Sequence, residues 1–121
     1  MEYIRNLIRN VPDFPKEGIA FKDITPVLAD IEALRLAVKK MASPFEDSGI
    51  DVVVGIESRG FIFGTPIADI LNANFVPVRK PGKLPWKTEK IEYELEYGTD
   101  SLEIHLDGIK ISDNKSEDGL N

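Results

Sequence analysis

The sequence predicts an α/β fold in which helices flank a parallel β-sheet. The main observation is the stretch from Asp51 to Asn72, DVVVGIESRGFIFGTPIADILN. Its first part is a β-branched run without polar alternation, which is typical of a strand buried on both faces. A polar turn follows, and apolar residues then recur at helical spacing: Phe61, Ile62, Ile67, Ile70 and Leu71. A strand, a tight turn and a helix form the first half of a βαβ unit.

Length and composition indicate a single globular domain. The chain has 121 residues, which is enough for one hydrophobic core but not for two domains. It has no cysteine and one histidine, His105, which argues against disulfides, thiolate metal sites and histidine-based catalysis. A net charge of −6 argues against general binding to nucleic acid or to a membrane surface. No apolar run could span a membrane and the N-terminus is too charged for a secretory signal, so we expect a cytoplasmic protein.

The first fifty residues predict two helices and one extended segment. Residues 1–10 are expected to form a short amphipathic helix, with apolar side chains on one face. Residues 19–26 are typical of a short strand or an extended loop, with Lys22 and Asp23 at the surface. Asp30 is suited to cap a second helix that would end near Pro44. Its packing stripe is expected to contain Leu34, Val38, Met41 and Phe45, helped by Ala37 and Ala42.

Two strand regions and a tail follow the central helix. Residues 75–78 predict a second strand, in which Pro77 either weakens the prediction or lies where no amide is needed. Residues 91–106 alternate between apolar and polar side chains around Gly98-Thr99-Asp100, which predicts a β-hairpin with a turn at those three residues. From Gly108 the sequence is polar and aperiodic. We therefore expect a domain over residues 1–107 and a disordered tail over residues 108–121.

The carboxyl ends of the two central strands carry the candidate binding residues. Ser58-Arg59-Gly60 follows the first strand at a helix N-terminus, a position that suits an anion. The second strand is followed by RKPGKLPWK, residues 79–87, which contains four cations and no acid. This loop is either solvated or in contact with a phosphate-bearing ligand. We predict that Arg59 and residues 79–83 converge on one anion site.

Four motifs, PDFPKEGIAFKDITP, VVVGIESRGFIFG, VRKPGKLP and YELEYG, occur in this order. With them the chain resembles the adenine phosphoribosyltransferase family from residue 1 to about residue 107. The resemblance implies a type I phosphoribosyltransferase fold, with a small hood and a β-hairpin lid over the site. It implies a homodimer that converts adenine and phosphoribosyl pyrophosphate to AMP and pyrophosphate with Mg²⁺. The transition state is expected to resemble an oxocarbenium ion, so cations at the leaving pyrophosphate act more strongly on it than on the ground state.

The resemblance also implies roles for individual residues. The pyrophosphate is expected to contact the turn and the basic loop through Ser58, Arg59, Gly60, Arg79, Lys80 and Lys83. Glu96 is expected to be the catalytic acid that assists proton transfer at the base, with Tyr97 beside it. The hood is expected to contact adenine through Ala20, Phe21 and Lys22, although many relatives have an arginine at the position of Lys22. Family members often have a non-proline cis peptide bond at the turn.

The sequence departs from the family beyond Ile109. There the family continues with a strand that ends in two aspartates and with a loop for the ribose 5-phosphate, so no metal ligand is assigned in this chain. We therefore expect a C-terminally truncated relative without useful activity by itself, in which residues 51–57 form an exposed edge with exposed apolar side chains.

Three interpretations follow from the residues and the resemblance. The first is an enzyme of adenine salvage by descent. The second is a non-catalytic fragment that binds pyrophosphate weakly or pairs with another subunit. The third is a phosphoribosyltransferase for another base, or a regulatory protein with the same fold. The acid in YELEYG and the hood motif FKDI favour adenine over the third interpretation.

Overall fold

The computed structural model describes residues 2–95 and 98–109, which divide into two compact units. The first unit runs to Ser48 and contains α1 (Glu2–Leu7), β1 (Arg9–Val11), β2 (Phe21–Asp23), α2 (Thr25–Leu28) and α3 (Ile31–Ala42), followed by a 3-10 turn at Ser43–Phe45. The second unit begins at Gly49 and contains β3 (Val52–Ile56), α4 (Arg59–Leu71), β4 (Asn74–Arg79), β5 (Thr88–Leu95) and β6 (Gly98–His105). None of the described helices is long and apolar enough to cross a membrane. The predicted domain over residues 1–107 stays a prediction.

The beginning of the first unit differs from the sequence prediction. The N-terminal helix ends at Leu7, and the next residues form β1, which pairs antiparallel with β2 so that Val11 lies opposite Phe21. The extended segment predicted for residues 19–26 contains β2, as expected, but its end forms the short helix α2, which was not predicted. Pro26 lies in the first turn of α2, where its fixed φ favours a helix and no amide is required.

Asp30 caps α3 as predicted. Its carboxylate accepts hydrogen bonds from the amides of Glu32 at 3.1 Å and Ala33 at 3.2 Å. The helix ends at Ala42, just before Pro44, because proline cannot continue the hydrogen-bonding pattern.

The packing face of α3 is only partly the one predicted. Its buried residues are Ala33, Ala37, Val38 and Ala42. Met41 and Phe45 are exposed, so their assignment to the packing stripe was wrong. Small side chains form this face, and the sequence prediction gave too much weight to large ones.

The second unit contains a four-stranded mixed sheet with the order β3-β4-β6-β5. β3 and β4 are parallel, with Val54 opposite Val76, and α4 connects them, which confirms the predicted βαβ unit. β6 pairs antiparallel with β4 where Val78 lies opposite Ile104, so the predicted hairpin extends the same sheet. Within the described sheet, β3 and β4 are therefore the parallel pair, and the other neighbouring strands are antiparallel.

Pro77 is accommodated in β4 without the loss of a ladder hydrogen bond. The amide of Asn74 donates to the carbonyl of Asp51, and amides that face the same neighbour alternate along a strand, so the nitrogen of Pro77 faces away from β3. On that side the described pairing of β6 with β4 includes Val78 and Arg79 and does not reach Pro77. Pro77 therefore lies where no amide is needed, which was one of the two alternatives for this residue.

The hairpin turn predicted at residues 98–100 was wrong. These residues belong to β6 and pair with residues 93–95 of β5, so that Gly98 lies opposite Leu95. Only residues 96 and 97 separate the two strands in the sequence, and both lie outside the described part of the chain. The register places Ile91 and Leu102 on the same face, as the alternation predicted, but Ile91 is exposed.

β3 is an edge strand within the described sheet, with β4 as its neighbour. Val54 is 47% exposed and Ile56 is 51% exposed. The prediction that β3 is buried on both faces was therefore wrong, whereas the expected exposed edge and exposed apolar side chains are confirmed. Gly55 is the buried residue of this strand.

Candidate anion-binding site

The Ser58-Arg59-Gly60 turn lies where β3 ends and α4 begins. The peptide bond between Glu57 and Ser58 is cis, as the resemblance implied. Ser58 is the N-cap of α4, and its hydroxyl makes no capping hydrogen bond to the described amides of the helix. Arg59 is the first residue of α4. The turn therefore combines a cationic side chain with the positive end of a thirteen-residue helix, an arrangement that suits an anion.

Glycines bring this turn against the strand. A β-carbon on Gly55 would lie 2.7 Å from the carbonyl oxygen of Gly60 and 2.7 Å from the ring of Phe75. A β-carbon on Gly60 would lie 3.2 Å from the backbone of Gly55, and one on Gly64 would lie 2.4 Å from the Phe75 ring. These close approaches require residues without side chains. They fix the first turns of α4 against β3 and β4.

Glu57 connects the turn to the basic loop, residues 79–87. Its side chain is 12% exposed and accepts hydrogen bonds from the Lys80 amide at 2.8 Å, the Lys83 ammonium at 3.0 Å and the Arg79 Nε at 3.2 Å. The hydrogen bond from the Lys80 amide, followed by that from Lys83, lowers the pKa of Glu57. The sequence prediction missed Glu57. The signal that could have found it is a carboxylate at the end of a strand that faces a loop with four cations.

Arg79 is held from two sides. Its Nε contacts Glu57, and its guanidinium carbon lies 5.6 Å from the centre of the Phe61 ring in the first turn of α4. A guanidinium over an aromatic face is attracted by the negative potential of the ring. Arg79 and Lys83 thus both contact Glu57, and Arg59 follows Glu57 two positions later at the start of α4.

The structure brings the predicted turn and the predicted basic loop together, because Lys83 contacts the residue directly before Ser58. Lys80 differs from Lys83. Its amide contacts Glu57, but its ammonium contacts Asp100 Oδ2 at 2.5 Å. The ligand-binding roles of Ser58, Arg59 and Gly60, and those of the three cations in the loop, stay predictions.

The hood residues belong to the first unit. Phe21 is half-buried, and its ring packs edge-on against Phe14 with the ring centres 5.1 Å apart. The two rings line a cleft of about 260 Å³. Lys22 is exposed and donates a hydrogen bond to Asn10 at 2.5 Å, and Ala20 is exposed. Their contact with adenine stays a prediction.

Two parts of the predicted site remain: the catalytic acid with its neighbour, and the metal ion. Glu96 and Tyr97 lie outside the described residues, so their roles stay predictions. Within residues 2–95 and 98–109, no group of three or more histidine, aspartate or glutamate side chains could hold a metal ion. The described residues therefore do not fit a magnesium ion that is bound by the protein itself.

A second cleft, of about 580 Å³, lies at the opposite end of the sheet. It is lined by residues at the starts of β3 and β4, by the end of α4 and by Gly108. Ligands in sheets of this kind bind beyond the carboxyl ends of the strands, and this cleft contains none of the predicted site residues. The candidate site is therefore the turn with the basic loop.

At acidic pH, protonation of Glu57 should weaken its contacts with the basic loop. Hydrogen bonds lower the folded-state pKa of Glu57 below its ordinary value of 4.5, so their stabilising contribution is complete above that value. The contribution is lost as the pH falls through the lower folded-state pKa. We expect the melting temperature to fall in that range, and Glu57→Gln to remove this part of the pH dependence.

Thermal melting followed by circular dichroism across that pH range tests the role of Glu57. Glu94→Gln provides a matched control, because it removes one carboxylate from an exposed position of β5. An acid transition in the Glu57→Gln protein that equals the one in the Glu94→Gln protein would contradict the expectation.

Comparison with known proteins gives consistent matches. The adenine phosphoribosyltransferase of Rhodopirellula baltica is 61% identical over 107 residues, which cover 88% of this chain and 52% of the relative. That of Halothermothrix orenii is 56% identical over 110 residues, which cover 91% and 65% of the two chains. No family model matches the chain. The chain thus spans 52% and 65% of the lengths of these two relatives.

Solved structures agree with the sequence matches. The crystal structure of adenine phosphoribosyltransferase from Thermoanaerobacter pseudethanolicus matches with a TM-score of 0.83 and 57% identity, over 88% of this chain and 62% of that chain. The Saccharomyces cerevisiae enzyme, complexed with an imino-altritol bisphosphate and adenine, matches with a TM-score of 0.84 and 38% identity, over 89% and 64%. The matches by sequence and those by structure each cover about nine tenths of this chain.

Proposed function

We propose that this chain, a relative of the adenine phosphoribosyltransferases that shares their sequence and their type I fold, carries the pyrophosphate-binding part of such an enzyme. The proposed reaction converts adenine and phosphoribosyl pyrophosphate to AMP and pyrophosphate in purine salvage. The observation that carries the proposal is the hydrogen bonding of Glu57, which brings the basic loop to the turn at the start of α4.

The proposed role of the site is to bind pyrophosphate and to stabilise it as a leaving group. Negative charge grows on the pyrophosphate as its bond to the anomeric carbon breaks. Arg59 lies at the start of α4, while Arg79 and Lys83 are held beside it by Glu57. Cations that are already in position reorganise little during the reaction, so they stabilise the transition state more than the ground state.

The base is proposed to contact the hood and the hairpin. The half-buried ring of Phe21 offers an aromatic surface for the purine, and Ala20 and Lys22 flank it in the sequence. Glu96 is proposed to assist proton transfer at the imidazole side of the base, with Tyr97 beside it.

The metal and the assembly are also part of the proposal. We propose that Mg²⁺ accompanies phosphoribosyl pyrophosphate, whose phosphate oxygens are suitable ligands for this ion. The described residues offer no ligand cluster, so no step is assigned to a metal held by the protein. We also propose a cytoplasmic homodimer without a nucleic-acid or membrane partner, and the net charge of −6 supports the absence of both partners.

Glu96 and Glu94 provide a test of the reaction. In a chain extended by the C-terminal part of one of the relatives, Glu96→Gln is expected to slow AMP formation by about 100-fold or more, because it removes a group that takes part in proton transfer. Glu94→Gln is a matched control at an exposed position two residues away, and it is expected to change the rate by less than about twofold. Equal effects of the two substitutions would overturn the assignment of Glu96.

A further inference from the structure

We infer that Lys80 is a positioning residue that links the anion site to the hairpin, rather than a ligand of pyrophosphate. The inference rests on the proposed function, because it concerns the same site. It separates Lys80 from Arg79 and Lys83, for which the family resemblance implied the same role.

Lys80 makes contacts in two directions. Its backbone amide donates to Glu57 at the end of β3, at 2.8 Å. Its ammonium donates to Asp100 of β6, at 2.5 Å. The ammonium of Lys83, by contrast, contacts Glu57 itself, directly beside the turn. The side chain of Lys83 therefore faces the turn, whereas that of Lys80 faces the hairpin.

Asp100 is a well-anchored partner for this ammonium. Its Oδ1 accepts the amide of Ser101 at 2.8 Å, and its Oδ2 accepts the hydroxyl of Tyr93 at 3.3 Å, directly across the two strands. The side chains of Lys80 and Asp100 are 43% and 32% exposed, so the pair is partly shielded from water. The hydrogen bond between them raises the pKa of Lys80 and lowers that of Asp100, which favours the charged form of each.

The position of Asp100 in the hairpin indicates a positioning role for its ion pair with Lys80. Tyr93 and Asp100 lie opposite each other, next to the pair formed by residues 94 and 99. Lys80 therefore connects the end of β3 with the paired strands of the hairpin. We expect Lys80 to hold these strands in position beside the anion site.

The test uses the 121-residue chain, with hydrogen exchange of the β5 and β6 amides measured without ligand. Asp100→Asn and Lys80→Gln are each expected to speed exchange of these amides by about 3- to 10-fold, since each removes the same contact. The double variant is expected to exchange no faster than either single variant, because the two residues act through one interaction. Glu94→Gln is the control, since its exposed side chain lies on the other face of β5 from Tyr93.

Calorimetric titration with inorganic pyrophosphate separates positioning from binding. We expect Lys83→Gln to weaken binding by about 10-fold, and Lys80→Gln to weaken it clearly less. Asp100→Asn is expected to change the affinity by less than about twofold, because it leaves the ligand contacts in place.

Three results would overturn the inference: equal loss of affinity in Lys80→Gln and Lys83→Gln, unchanged hairpin exchange in Asp100→Asn, or unprotected hairpin amides in the unaltered chain. A chain with protected amides that fails to bind pyrophosphate would overturn the proposed function instead. In that case the exchange data still decide whether Lys80 and Asp100 act together.

Discussion

Arg59→Ala is expected to raise the dissociation constant for inorganic pyrophosphate by about 10- to 100-fold. Arg59 is the first residue of α4, so its guanidinium and the positive end of the helix act on the same anion. Each hydrogen bond between charged groups is worth about 1.5–3 kcal/mol, and a tenfold change in affinity corresponds to about 1.4 kcal/mol. Isothermal titration calorimetry at constant ionic strength measures the effect.

Arg35→Ala is the matched control for Arg59→Ala. Arg35 is an exposed residue of α3 in the first unit, so its removal lowers the net charge by the same amount. We expect the Arg35→Ala chain to bind pyrophosphate within about twofold of the unaltered chain, because Arg35 is not part of the candidate site and an exposed charge is largely screened by salt. Equal losses in the two variants would show that the anion is attracted by overall charge and not by a site.

Gly55→Ala is expected to lower the free energy of unfolding by about 1–3 kcal/mol, as overpacking of a well-packed interior does. The new β-carbon would lie 2.7 Å from the carbonyl oxygen of Gly60 and 2.7 Å from the Phe75 ring. The ring can move slightly, but the carbonyl belongs to the backbone of the turn. The turn must therefore move away from β3, and we expect pyrophosphate binding to weaken as well. Thermal denaturation followed by circular dichroism measures the stability.

Val54→Ala is the control for Gly55→Ala. Val54 is the preceding residue of β3 and is 47% exposed, so the loss of its methyl groups removes little buried surface. A larger loss of stability in Val54→Ala than in Gly55→Ala would contradict the close contact between the turn and the strand.

The parts of the fold that the sequence predicted are those with strong local patterns. The β-branched run of β3, the turn and the helical spacing in α4 are contiguous in the chain, so the first half of the βαβ unit was accessible to local reasoning. The helix cap at Asp30 and the loop after β4 were also predictable, because each follows from residues that are close together in the sequence. The cis peptide bond before Ser58 was expected only because of the family resemblance.

The features that the sequence did not predict depend on how the strands pair with one another. Gly98-Thr99-Asp100 has the composition of a turn, yet cross-strand pairing continues through it. Glu57 gains its importance from partners at least 22 positions away, which only the pairing of β3 with β4 brings close. The ion pair between Lys80 and Asp100 depends in the same way on the pairing of β4 with β6. Such contacts are set by tertiary structure, and no local pattern encodes them.

The exposure of β3 has a different cause. A β-branched run predicts burial because most such strands lie inside parallel sheets, but the run itself does not determine which neighbours are present. In the described sheet β3 pairs with β4 on one side, and Val54 and Ile56 are exposed. The same residues would be buried in a sheet with a further strand and a covering layer.

The central claim is that the turn at Ser58-Arg59-Gly60 and the basic loop form one pyrophosphate site. Calorimetric titration of the unaltered 121-residue chain with inorganic pyrophosphate tests it most directly, with sodium sulfate as a second anion under the same conditions. We expect saturable binding of pyrophosphate to one site and much weaker heat with sulfate, because sulfate carries less charge and offers one tetrahedral group where pyrophosphate offers two. The absence of saturable pyrophosphate binding, or an equal response to sulfate, would contradict the claim.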